Sequence, residues 1–199
     1  MVVDISIVKQ LEQWGTDLNG VFTLSDLKVA LREKSPATLF RKVSRLIDSQ
    51  LLIKVKRGIY ATPKTPLEVI SSRIDKEAYI STGTILAKCA AIGSIPAYSV
   101  QAVKLGRPRS YSCELGKIDH LSIDPKYYFG FTDEGGLLRA TPEKAFIDVC
   151  YFYYKGTRFS FNPESDIATQ HFNKELLNEY LSHYDKRFIS YFTSYWSLL

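Results

Sequence analysis

The chain has 199 residues, 45% of them apolar, enough for a real core in one mid-sized domain or two small ones. Its formal charge of +5 lies entirely in the first third: residues 1–66 hold 11 Lys/Arg against 6 Asp/Glu, and residues 67–199 hold 15 of each. Three cysteines without a CxxC pair (Cys89, Cys113, Cys150) argue against a disulfide framework or a structural zinc, and no window approaches the ~20 apolar residues of a membrane span.

The N-terminal stretch MVVDISIVKQLEQW carries Asp4 and Glu12 within a helical pattern, unlike a secretion signal, so a cytoplasmic location is expected. Ile5, Ile7, Val8, Leu11 and Trp14 predict a first helix over 4–14, closed by Gly15. Val21-Phe22-Thr23 reads as a short extended segment. Thr23 and Asp26 form a capping-box pattern for a second helix over 24–33, burying Leu27, Val29 or Ala30, and Leu31. Ser35 is a good N-cap and Pro36 suits a first helical turn, so a third helix spans 36–49. Leu39, Val43, Leu46 and Ile47 share one of its faces; Thr38, Arg41, Lys42 and Arg45 share the other. Residues 51–56 then predict a strand, Arg57-Gly58 a turn, and 59–62 a returning strand, before Pro63 and Pro66 end the unit.

Three helices followed by a basic-tipped hairpin is the order of a winged helix-turn-helix, expected over 1–66. In a major groove, Ala37, Thr38, Arg41 and Lys42, behind the Ser35 cap, would reach base edges. Arg45, Lys54, Lys56 and Arg57 are placed for phosphates, which position a protein without reading sequence. The plainer alternative is a solvated basic face. The agreement of helix order, Ser-Pro start, basic hairpin and charge asymmetry favours double-stranded DNA as the partner.

Residues 67–77, part of a stretch with a short helical pattern, read as a linker and 78–199 as a second unit, giving an α+β chain with a helical C-terminus. AYISTGTILAKCAAIG (78–93) predicts a small-residue helix; its start lacks GxxxxGK[ST] and GxGxxG, which favours close packing over phosphate binding. Stretches 98–105, 109–115, 117–122, 128–132 and 137–140 predict short antiparallel strands between turns. ATPEKAFIDVCYFYYKG opens a core helix with Thr141 as cap and Pro142 at the first position, ending at Gly156. Residues 172–184 and 187–196 predict two aromatic helices, whose Tyr191, Phe192, Tyr195 and Trp196 fit a core better than a contact surface. His120, His171 and His183 lack metal-ligand spacing, and neither GxSxG nor HExxH occurs. Asp133, Glu134, Glu143 and Lys144 invite comparison with a metal-dependent nuclease cluster, but turn and cap roles account for each. No catalytic residue, metal or cofactor is therefore expected.

KVKRGIYATP (54–63), YISTGTILAKCAAIGSIP (79–96) and RATPEKAFIDVCYF (139–152) together resemble the AbiEi-type antitoxin family of bacterial type IV toxin–antitoxin and abortive-infection operons. Arg57, Gly58 and Tyr60 match its hairpin motif, and Pro142, Glu143 and Lys144 its helix-start motif. The resemblance implies a repressor that binds promoter repeats of its own operon and counteracts a nucleotidyltransferase-like toxin. A monomer or weak dimer assembling on DNA is expected. The alternative is a DNA-processing enzyme delivered by a winged helix.

Overall fold

A computed structural model describes residues 5–93 and 98–196, without the side chains of residues 5–8 and 171. The expected helix start at Asp4, the side chains of Ile5, Ile7, Val8 and His171, and positions 94–96 of the motif stretch lie outside the described residues. Helix α1 (Ile5–Asp17) runs through Gly15, which was expected to stop it. A glycine inside a helix costs only about 1 kcal/mol. The stop comes instead from Asn19 and Gly20, whose φ of 51° and 76° is the left-handed helix end.

Strand β1 (Val21–Thr23) leads into α2 (Leu24–Ala30). Thr23 Oγ1 accepts from the Asp26 N–H at 3.1 Å and Asp26 Oδ2 accepts from the Thr23 N–H at 2.7 Å, completing the capping box. The helix is shorter than the expected 24–33 because Arg32 turns left-handed at φ 49°. Leu27, Ala30 and Leu31 are buried, and Val29 points outward. Helix α3 (Pro36–Asp48) starts as expected at Ser35 and Pro36 and buries Leu39, Val43 and Leu46. Strands β2 (Ile53–Lys56) and β3 (Ile59–Ala61) complete an antiparallel sheet of order β1-β3-β2. β2 begins two residues later than expected because the amides of Leu51 and Leu52 both donate to Leu46 O, finishing α3. Leu11, Phe22, Leu27, Leu39, Val43, Leu46 and Tyr60 form the shared core of these elements.

The segment read as a linker is a packed helix, α4 (Leu67–Ile74). Leu67, Ile70 and Ile74 recur at helical spacing, and Ile70 is fully buried against Val21, Val55, Ile59, Ala61 and Ile118. This small core joins the first sheet to the second.

The second sheet comprises β4 (Tyr79–Ile80), β5 (Ser99–Lys104), β6 (Arg109–Cys113), β7 (Gly116–Ser122), β8 (Phe131–Asp133) and β9 (Leu138–Ala140), in the order β6-β7-β5-β4-β9-β8. It is mixed, where antiparallel pairing was expected: β5 runs parallel to β7 and β4 parallel to β9. The stretch 78–93 opens as strand β4 and becomes helix α5 (Thr82–Lys88) only after Ser81. The predicted strand over 128–132 starts later, at Phe131, because Asp124-Pro125 sets up a 3-10 turn through Tyr127. Helix α6 (Pro142–Tyr154) crosses the core, capped by Thr141, whose hydroxyl accepts from the Lys144 N–H at 3.2 Å. Helices α7 (Lys174–Leu181) and α8 (Lys186–Tyr195) pack against it. Phe192 and Trp196 are buried, Tyr191 is half-buried, and Tyr195 is exposed. The described chain is thus a mixed α+β fold of eight α-helices and two sheets, and no described helix is long and apolar enough to cross a membrane.

Candidate nucleic-acid interface

The amphipathicity of α3 decides what it can touch. With Leu39, Val43 and Leu46 turned inward, Ala37, Phe40, Arg41, Ser44, Arg45 and Asp48 form its exposed stripe. Ser35 is exposed ahead of this stripe, its Oγ 3.5 Å from the Thr38 N–H as a long cap, and Thr38 is half-buried. The hairpin β2–β3 turns at Arg57-Gly58, where Gly58 has φ 81° and its carbonyl accepts from the Leu24 N–H at 3.1 Å. That bond ties the hairpin tip to the start of α2. Lys54 and Arg57 are exposed.

The basic residues singled out from sequence divide into two groups. Arg41, Arg45, Lys54 and Arg57 are exposed and have no carboxylate partner among the described residues. Lys42 is different: its Nζ lies 2.5 Å from Glu33 Oε1, so it flanks α2 with its charge already partnered. Lys56 leans away from solvent, its Nζ 5.4 Å from the centre of the Tyr111 ring on β6. Sequence reading overlooked Phe40, which is 54% exposed in the middle of the stripe. The signal was available, since an apolar residue three positions after Ala37 and one before Arg41 falls outside the Leu39–Val43–Leu46 face.

The acidic residues considered for catalysis do other work. Asp133 Oδ1 accepts from the Gly136 N–H at 2.6 Å in the β8–β9 turn, and Glu134 pairs with Arg139. Glu143 Oε1 accepts from the Asn173 N–H at 3.0 Å. Lys144 is fully buried and pairs with Asp148, also fully buried, while its Nζ donates to Tyr184 Oη at 3.0 Å. Asp148 Oδ2 accepts from Tyr79 Oη at 3.0 Å and Ser81 Oγ at 2.7 Å. Burial drives the Lys144 ammonium below its ordinary pKa and the Asp148 carboxyl above its own, each opposed by the other's charge. Among the described residues no group of three or more His, Cys, Asp or Glu is placed to hold a metal ion.

His120 on β7 is buried, with Nε2 2.9 Å from Ser71 Oγ on α4 and Nδ1 without a partner among the described residues. Burial holds its pKa below the ordinary value of 6.5. It serves the junction between α4 and the second sheet. Comparison of the sequence with protein-family models and with curated proteins gives no match.

Proposed function

We propose that this chain is a DNA-binding transcriptional repressor whose α3 and β2–β3 hairpin act as the recognition helix and wing of a winged helix-turn-helix over residues 1–66. The observation that carries the reading is the pairing of two features. The exposed stripe of α3 presents Arg41 and Arg45 without carboxylate partners among the described residues, and the β2–β3 hairpin, which shares a core with α3 through Tyr60, presents the exposed Lys54 and Arg57. Exposed cations on a helix and on a hairpin that share one core suit phosphates along a groove. Arg41 reads a base edge; Arg45, Lys54 and Arg57 hold phosphates; Ala37 and Thr38 border the reading position behind the Ser35 cap. Lys42 and Lys56 contribute less, because each already has a partner within the fold.

The resemblance to AbiEi-type antitoxins extends the reading. The target is then a promoter repeat of the chain's own operon in the cytoplasm, and residues 78–199 carry a non-enzymatic activity against a nucleotidyltransferase-like toxin. One such unit covers one half-site, so two copies side by side, about one helical turn apart, make the bound form.

Titration of cognate and scrambled duplexes at several salt concentrations tests this. Arg41→Ala is expected to cost about 1–3 kcal/mol on the cognate site and to flatten discrimination. Arg57→Ala weakens both duplexes about equally and lowers the salt slope by about one, whereas Lys42→Ala costs less than Arg41→Ala. Wild-type binding by all three variants would reduce the basic stripe to a solvated face.

A further inference from the structure

Phe40 is a large apolar side chain, 54% exposed, in a stripe whose other members are small or polar. One turn back stands Ala37 and one turn on stands Ser44, both small and exposed, so a flat surface can approach the helix closely at this point. Arg41 is its neighbour and Arg45 lies further along the same stripe, both exposed and without a carboxylate partner among the described residues. Phe40 has no role in folding the unit, since the core face of α3 is Leu39, Val43 and Leu46. The partner such a surface fits is negatively charged at its edges and offers an apolar group at its floor.

The major groove of B-DNA has that combination. Its walls are phosphates, and the one apolar group on its floor is the C5 methyl of thymine. An RNA duplex has neither an accessible major groove nor that methyl. Building on the DNA-binding reading above, we infer that Phe40 is a specificity-determining residue that packs on a thymine C5 methyl in each half-site, next to the base read by Arg41. Phe40 then supplies the apolar half of recognition and Arg41 the hydrogen-bonding half, which selects a thymine beside a guanine.

Replacing thymine by deoxyuridine removes only this methyl and tests the contact directly. Duplexes selected from a randomised pool by the full chain are resynthesised with each thymine exchanged in turn. At one position per half-site the exchange is expected to weaken wild-type binding by about fourfold, the worth of one buried methyl-sized group. Phe40→Ala loses at least as much on the thymine duplex and no longer distinguishes thymine from deoxyuridine there, so the two changes do not add. Phe40→Leu retains part of the discrimination. Thermal unfolding of both variants should match wild type, because the side chain is exposed.

If Phe40→Ala keeps the wild-type thymine-to-deoxyuridine ratio at every position, the inference is wrong and DNA binding stands. If instead Phe40→Ala leaves DNA binding intact but changes the sedimentation state, Phe40 is a contact between copies and the inference is likewise wrong. A selection that enriches no sequence, with binding no stronger than for random duplex, overturns the repressor reading itself and this inference with it.

Discussion

Lys144 and Asp148, one turn apart on α6, are a charged pair with no access to water. The pair is well supported: Tyr79 and Ser81 donate to the carboxylate, Tyr184 accepts from the ammonium, and the Phe129 ring centre lies 5.0 Å from the Lys144 Nζ. Such a pair adds little net stability over a well-packed apolar pair, but breaking it strands one charge. Lys144→Met is therefore expected to cost about 3–5 kcal/mol, and Lys144→Met combined with Asp148→Asn to cost less than the single change. Urea unfolding of the two variants checks the order. A double variant less stable than the single one would mean that the carboxylate is held by Tyr79 and Ser81 rather than by the ammonium. At this scale the motif TPEK acquires a physical meaning: Thr141 caps the helix, Pro142 starts it, Glu143 anchors the Asn173 amide, and Lys144 neutralises Asp148.

Helix α4 is held by charges from both sides. Arg73 bonds Asp26 of α2 at 2.8 Å; Glu68 bonds Lys88 of α5 at 2.5 Å and Arg139 of β9 at 2.8 Å; and Asp75, which ends α4, pairs with Lys104 of β5. Burial pushes the three carboxyls up, but their bonds to Thr23 and Arg73, to Lys88 and Arg139, and to Lys104 outweigh it and hold them below the ordinary 3.8, 4.5 and 3.8. A depressed folded-state pKa means stability that is present above the ordinary value and lost as pH falls through the folded one, so these pairs fail below about pH 4. His120, depressed by burial from 6.5, behaves in the same sense at higher pH. Its contribution is present above 6.5 and falls away below it, as the unfolded chain takes up a proton that the buried ring resists. The melting temperature should therefore decline in two stages between pH 8 and pH 3. His120→Gln, which can still meet the Ser71 hydroxyl, removes the upper stage and leaves the lower. An unchanged upper stage in that variant would assign it to another group.

Across the whole molecule the two sheets are not independent. Val55 and Ile59 of the hairpin pack with Ile70 of α4 and Ile118 of β7, and Lys56 rests on Tyr111 of β6. A hairpin backed in this way cannot swing freely, and the second sheet moves with the first. The chain is expected to unfold in a single transition, with near-UV and far-UV dichroism coinciding. Ile70→Ala, which leaves a cavity at the centre of the junction, should lower that one transition by about 2–5 kcal/mol without splitting it. Two separated transitions in the variant would show that each unit carries its own stability and that the junction core is an accessory contact.

The faces of α3, the capping box at Thr23, the cap at Thr141, the Arg57-Gly58 turn and the α+β class follow from the sequence alone. Each depends on the 3.6-residue period or on hydrogen bonds between residues at most four apart. The same locality made the basic stripe legible, along with most of the candidate interface residues. Only the tertiary structure decided that residues 67–74 are a structural joint, since a short helix with four apolar residues shows nothing of which surfaces it buries against. It also decided the parallel pairing of β5 with β7 and the existence of the two-residue strand β4, which is too short to carry a period and pairs with residues more than twenty positions away. And it separated the free cations Arg41, Arg45, Lys54 and Arg57 from the engaged ones, because the Glu33 beside Lys42 and the Tyr111 beneath Lys56 are brought there by the packing of elements. Charge can be counted along a chain; whether a charge is available to a ligand depends on what the fold sets next to it.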